Sequence, residues 1–258
     1  MKKLRTALAI AAAFAALPAS AHVSYSGRDF GTFSGLSAQS ATIANQAATS
    51  NFGWADAADA DWGDSHKVKW FKFSLSNEAD VTISASAKAN ATGASVGGLL
   101  PGFSLYSGLA PSAAYDTSAI SLAYRAGLGF PTEGSLNARG SFQIGNDSNV
   151  INTLSFIGYA VDGDKFNFSA GWEAGIVGDG VKDGFVTKTF HLAAGTYSVA
   201  IGGADYAQQF NPTDPAALKA YGISATVAAV PEPETYALLL AGLGLMSTVA
   251  RRRSRVAS

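Results

Sequence analysis

The most regular stretch of the chain is VKWFKFSLS, Val68 to Ser76. Val68, Trp70, Phe71, Phe73 and Leu75 follow a nearly period-two order, with Lys67, Lys69, Lys72, Ser74 and Ser76 around and between them. That spacing predicts a strand with one buried face. ADVTISASAKA repeats the alternation through Val81, Ile83 and Ala85, and Asn77 to Asp80 supplies the connecting turn. GFSLYSG, TLSFIGYAV, KFNFSAGW, FVTKTFHL, TYSVAIGG and YGISATVAA are further strand-like pieces, separated by Gly, Asp, Asn and Pro. Helical periodicity is scarce. The internal helix candidates are Ser37 to Ala48 and DPAALKAYG, where Asp214 would cap and Gly222 would stop a turn or two. Many short strands with frequent turns predict an all-β fold, a single β-sandwich or jelly-roll domain. Tyr106 to Asn152 alternates more weakly and reads as a loop-rich insertion between core strands.

The two ends follow different rules. Lys2, Lys3 and Arg5, the apolar run Leu8 to Leu17 and Ala19-Ser20-Ala21 have the layout of a secretory signal peptide. Cleavage after Ala21 would leave His22 as the first residue of the mature chain. Near the other end, Pro231 and Pro233 bias the residues before them toward extended backbone. Thr235 is placed to cap a helix through Tyr236 to Ala250. Some 15 residues at 1.5 Å each reach about 22 Å, short of a hydrocarbon core of about 30 Å. Arg251, Arg252 and Arg253 follow the run and would stay in the cytoplasm. The expected division is a signal peptide at 1–21, a β-sandwich domain at 22–229 and a tail at 230–258.

Composition narrows the function. With 48% hydrophobic and 14% charged residues, the chain has the material for a core and too little charge for disorder. A net charge of -1 gives no broad attraction for nucleic acid. Without cysteine there is no thiol nucleophile, zinc-thiolate site or iron–sulfur cluster.

Candidate chemistry is sparse. Asp56, Asp59, Asp61 and Asp64 form the densest acidic group, at a spacing that suits oxygen ligation of calcium. A second group, Asp162, Asp164, Asp179 and Asp183, lies among Gly-rich turns, where aspartate is also ordinary turn chemistry. An N-terminal His22 could chelate copper with its amine and ring, as in copper monooxygenases, and His66 and His191 are the only histidine partners. Glu173, beside Trp172, could serve a glycosidase with Asp162 or Asp164, but nothing in the sequence pairs them. No Gly-x-Ser-x-Gly elbow is present. Trp54 and Trp62, in the acidic loop, are candidates for stacking on a sugar ring; the alternative is that they anchor the loop.

Pro231-Glu232-Pro233, an apolar helix with Gly242 and Gly244, and then Arg251-Arg252-Arg253 closely resemble the PEP-CTERM sorting signal. In Gram-negative bacteria that signal accompanies exosortase, a membrane protease thought to cut near the Pro-Glu-Pro. The resemblance implies transient anchoring in the inner membrane, processing, and release to the cell surface or exopolysaccharide matrix. DADWGDSHKVKWFKFSLSNEADVTISASA, PGFSLYSG and HLAAGTYSVAIGGAD are similar to the bacterial pre-peptidase C-terminal β-sandwich, whose members are accessory and binding modules. The expected protein is therefore exported and non-enzymatic, with exosortase and exopolysaccharide as partners. A secreted carbohydrate-active enzyme and a calcium-dependent glycan-binding adhesin are the alternatives.

Overall fold

The computed structural model describes residues 22–55, 62–129, 136–163, 176–205, 208, 214–216, 219–231 and 240–247. Within them the strands are β1 (Asp29–Phe33), β2 (Gln39–Thr49), β3 (Trp62–Gly63), β4 (Lys69–Leu75), β5 (Ala79–Ala87) and β6 (Pro101–Ser107). They continue, after helix α1 (Ala119–Leu128), with β7 (Leu136–Asn137), β8 (Phe142–Gly145), β9 (Ile151–Val161), β10 (Phe185–Leu192), β11 (Gly195–Gly203) and β12 (Ala220–Val230). The larger sheet runs β1-β4-β11-β6-β9-β8, the smaller β10-β5-β12-β2, and β3 pairs with β7 alone. The fold is all-β and sandwich-like.

The two large sheets enclose one core. β4 contributes Phe71, Phe73 and Leu75, β11 Val199 and Ile201, and the facing sheet Val81, Ile83, Phe190, Ile223 and Val227. β5 keeps the strict alternation its sequence predicts, with Ala79, Val81, Ile83 and Ala85 buried and the residues between them turned outward. Its outer hydroxyls pair across the strands: Thr82 with Thr189 and Ser84 with Thr187, each at 2.8 Å. The adjacent Trp70 and Phe71 are both buried because the larger sheet is covered on both sides. Phe71 faces the main core; Trp70 joins a second cluster with Tyr106, Leu136, Phe142, Ile144 and Leu154.

That second cluster corrects the expected insertion. The stretch after β6 is not loop-rich padding: it supplies α1, β7 and β8, with β8 as the edge of the larger sheet. α1 starts at Ser118, whose hydroxyl accepts from the Ser121 amide, and stops at Gly129 in a left-handed conformation (φ 87°). Ser121 Oγ in turn accepts from the Gly145 amide at 2.9 Å, tying the helix to β8.

One expected helix, and the expected end of another, are corrected as well. The Ser37–Ala48 candidate is strand β2, whose backbone pairs with β12 from Gln39 opposite Ala229 to Thr49 opposite Ala220. The alanines that suggested a helix are small residues on a hydrogen-bonded edge strand, and ladder pairing outweighs their propensity. Gly222, expected to stop a helix, lies inside β12. A Cβ there would stand 1.9 Å from the Lys88 carbonyl oxygen, so close backbone approach explains this glycine. In the tail, residues 240–247 are helical, with Leu240, Leu243, Leu245 and Met246 exposed. Among the described residues no helix is long and apolar enough to cross a membrane. The expected signal-peptide residues Ala19 and Ala21, and Tyr236 to Leu239 and Thr248 to Ala250 of the expected tail helix, lie outside the described residues.

Candidate functional site

The loop between β3 and β4 is held by close backbone contacts. A Cβ on Gly63 would meet the Trp54 carbonyl oxygen at 2.2 Å, so only glycine fits there. The next residue, Asp64, donates its amide to the Gly53 carbonyl at 2.8 Å. The loop then turns, with the Lys67 amide donating to the Asp64 carbonyl at 3.0 Å. Asp64 Oδ1 accepts the His66 amide at 2.8 Å, an Asx turn that fixes the carboxylate beside its own loop.

This turn aims the His66 ring between two carboxylates. Nδ1 lies 3.2 Å from Asp64 Oδ1, and Nε2 lies 3.0 Å from Asp116 Oδ1. Asp116 comes from the segment between β6 and α1, positioned by the Tyr115 amide donating to the Gly145 carbonyl at 3.1 Å. Lys67 Nζ sits 3.2 Å from Asp64 Oδ2 and over the Phe52 ring. One ligand-type atom from each of Asp64, His66 and Asp116 lies within 4.8 Å of the others. Asp116 Oδ1 is shut off from solvent yet accepts no directed hydrogen bond. The His66 nitrogen faces that oxygen at ion-pair distance.

The electrostatics follow from this arrangement. The carboxylates of Asp116 and then Asp64 outweigh burial and raise the His66 pKa from 6.5 to about 9. Burial alone would raise the Asp64 pKa, but the His66 hydrogen bond and the Lys67 charge pull it down to about 2. Near neutral pH His66 is therefore an imidazolium between carboxylates.

The other candidates fall elsewhere. His22 leans on Tyr115, with ring centroids 4.8 Å apart, and its Nδ1 contacts the Ala113 carbonyl at 2.9 Å. His191 stands exposed on β10 between Glu78 Oε1 (2.6 Å) and Asp80 Oδ1 (3.0 Å). Neither belongs to the three-residue group of Asp64, His66 and Asp116. Of the first calcium candidates, Asp56, Asp59 and Asp61 lie outside the described residues, and Asp64 is committed to His66 and Lys67.

In the second acidic group, Asp162 is buried and accepts the Asp183 and Gly184 amides at 3.1 and 2.8 Å. Asp179 accepts from Gly163 and Val181, and Asp183 from Phe185, so these carboxylates serve as turn caps. Asp164, Trp172 and Glu173 lie outside the described residues. Trp54 is 0% and Trp62 4% exposed, so neither presents a face to a sugar; each belongs to a buried apolar cluster. Trp54 Nε1 donates to Ser104 Oγ at 2.9 Å. Asp116 was missed in the sequence because nothing local marks it: its partners are some fifty positions away and meet it only through the fold.

Residues 229–254 match the PEP-CTERM protein-sorting motif. Two solved structures are similar to the chain, each at 17% identity over 80% of it. One is CorA, a surface-associated copper-binding protein important in copper acquisition in Methylomicrobium album BG8, with a TM-score of 0.46 and 98% of that chain covered. The other is the secreted protein MopE of Methylococcus capsulatus, in which an oxidized tryptophan facilitates copper binding, with a TM-score of 0.39 and 87% covered. No curated protein matches the chain significantly. The motif at residues 229–254 supports an exported protein and implies processing by exosortase, a membrane protease.

Proposed function

We propose that this protein delivers a β-sandwich to the cell surface or exopolysaccharide matrix, where it acts as a non-enzymatic binding module after its tail is processed. The observation that carries this reading is the junction between the sandwich and the sorting motif. β12 is an interior strand of the smaller sheet, paired on one side with β5 and on the other with β2. Its last ladder partner places Val230 opposite Asp80. Pro231 comes next, lacks an amide hydrogen and ends the ladder. A cut near Pro231-Glu232-Pro233 would therefore leave every β12 ladder pair intact. The sorting step and the folded domain are separable at one residue.

The described ionisable groups are engaged in local contacts. Asp162, Asp179 and Asp183 are occupied by backbone amides, and His66 is flanked by carboxylates at both ring nitrogens. The test is to replace Pro231-Glu232-Pro233 with three alanines in a cell that contains exosortase and to fractionate. The native chain is expected at the surface or in the matrix and the variant in the inner membrane. Equal distribution of the two would overturn the proposal.

A further inference from the structure

An imidazole with a carboxylate at each ring nitrogen has two uses. It can be a charged ion-pair clamp, or one nitrogen can be held by an outer carboxylate while the other binds a metal ion. The two sides of His66 differ in the way the second use requires. On the Nδ1 side Asp64 is fully engaged: Oδ1 takes the His66 amide and faces Nδ1, and Oδ2 pairs with Lys67. On the Nε2 side, Asp116 Oδ1 is closed to solvent and accepts no directed hydrogen bond. In the metal-free protein the His66 imidazolium faces that oxygen at 3.0 Å without a directed hydrogen bond, so a metal ion that displaces the Nε2 proton takes over the cation's place there.

The spacing also suits a shared ion. Two ligand atoms each about 2.1 Å from a metal, subtending roughly 90–110°, stand about 3.0–3.4 Å apart. His66 Nε2 and Asp116 Oδ1 are 3.0 Å apart. Their elements are separately braced, the first by the Gly63 and Asp64 backbone contacts and the second by the tie to Gly145, so the pair is set before any ligand arrives.

We propose that His66 Nε2 and Asp116 Oδ1 form the ligand edge of a site for a divalent first-row transition metal ion, with Asp64 as the positioning carboxylate on Nδ1. The donor set selects the class. An imidazole nitrogen with a carboxylate oxygen suits zinc, copper, nickel or iron, whereas calcium takes six to eight oxygens. Binding needs no redox step: the metal takes the Nε2 lone pair, and the proton there passes to solvent. Asp64 retains the Nδ1 proton and fixes the ring orientation.

The test uses the full chain, stripped with chelator and titrated with Zn(II), Cu(II) or Ca(II) by calorimetry. One Zn(II) or Cu(II) per chain is expected, with Ca(II) at least 100-fold weaker. His66→Asn and Asp116→Asn should each lose 100-fold or more in affinity, and His191→Asn should match the native chain. Asp64→Asn should keep the stoichiometry and weaken binding about 10–100-fold, as loss of an outer-shell partner does. Circular dichroism of the metal-free variants checks folding. Should His66→Asn misfold, the electron paramagnetic resonance spectrum of the native Cu(II) complex decides. Nitrogen hyperfine structure supports the site, and its absence overturns it. No saturable binding of either transition metal, binding unchanged in His66→Asn and Asp116→Asn, or calcium bound as tightly would also overturn it.

Discussion

The charge state of His66 is open to a direct thermodynamic test in the metal-free protein. Its pKa is 6.5 when unperturbed and about 9 in the fold. A group whose folded pKa is raised stabilises the fold fully below its unfolded value and loses that contribution as the pH climbs through the folded value. The window is therefore pH 6.5 to 9. A shift of this size corresponds to about 3 kcal/mol at roughly 1.4 kcal/mol per unit. Solvent reaches 29% of the side chain, so screening reduces the expected contribution to roughly 1–2 kcal/mol. The assay is urea unfolding in chelator at pH 6 and pH 10, for the native chain and His66→Asn. Groups shared by both proteins cancel in the comparison. The native chain should lose roughly 1–2 kcal/mol more than the variant between the two pH values. Parallel losses would refute the ion-pair geometry.

Four further perturbations probe the fold that carries the site. Gly102→Ala puts a Cβ 2.6 Å from Trp54 Cδ2, and overpacking of that kind costs about 1–3 kcal/mol. The urea midpoint should fall, and an unchanged midpoint would mean that the Trp54 ring is not packed there. Asp162→Ala removes the acceptor for the Asp183 and Gly184 amides, at a cost of about 1–3 kcal/mol. Hydrogen exchange at Gly184 should quicken with it, and native protection there would count against the contact. A chain ending at Pro231 should unfold at the same urea concentration as the full chain, because the ladder closes at Val230. A chain ending before Ala220 loses Ile223, Ala225 and Val227 from the core and should not fold; cooperative unfolding by that shorter chain would contradict the role of β12.

How far the sequence could be read depended on how many faces each strand buries. β5 has one covered face, so Val81, Ile83 and Ala85 alternate cleanly and the strand was legible. β4 is covered on both sides, which puts Trp70 beside Phe71 and blurs the period. β2 misled because Ala41, Ala44, Ala47 and Ala48 imitate helical composition on a strand whose identity comes from its partner β12. The stretch after β6 looked like insertion because its strands are short and its buried residues, Leu136, Phe142 and Ile144, are spaced by turns. For the site, Asp64 and His66 are two positions apart, yet the sequence reading placed Asp64 in an acidic calcium group and His66 with His22. Asp116 could not be paired with them, since long-range contacts such as the tie of Tyr115 to Gly145 hold its segment near the ring. Trp54 and Trp62 stood in a polar stretch that suggested exposure, whereas Gly102 leaves room for the Trp54 ring and Gly63 for its backbone.

The claim on which the account rests is that a folded sandwich is separated from its sorting tail beyond β12. Intact-mass spectrometry of the protein recovered from the surface or matrix of cells with exosortase tests it directly. The account predicts a chain that retains all of β12 through Val230 and lacks Arg251 to Arg253. A surface protein whose mass includes the whole tail, or a cut that falls inside β12, would contradict it.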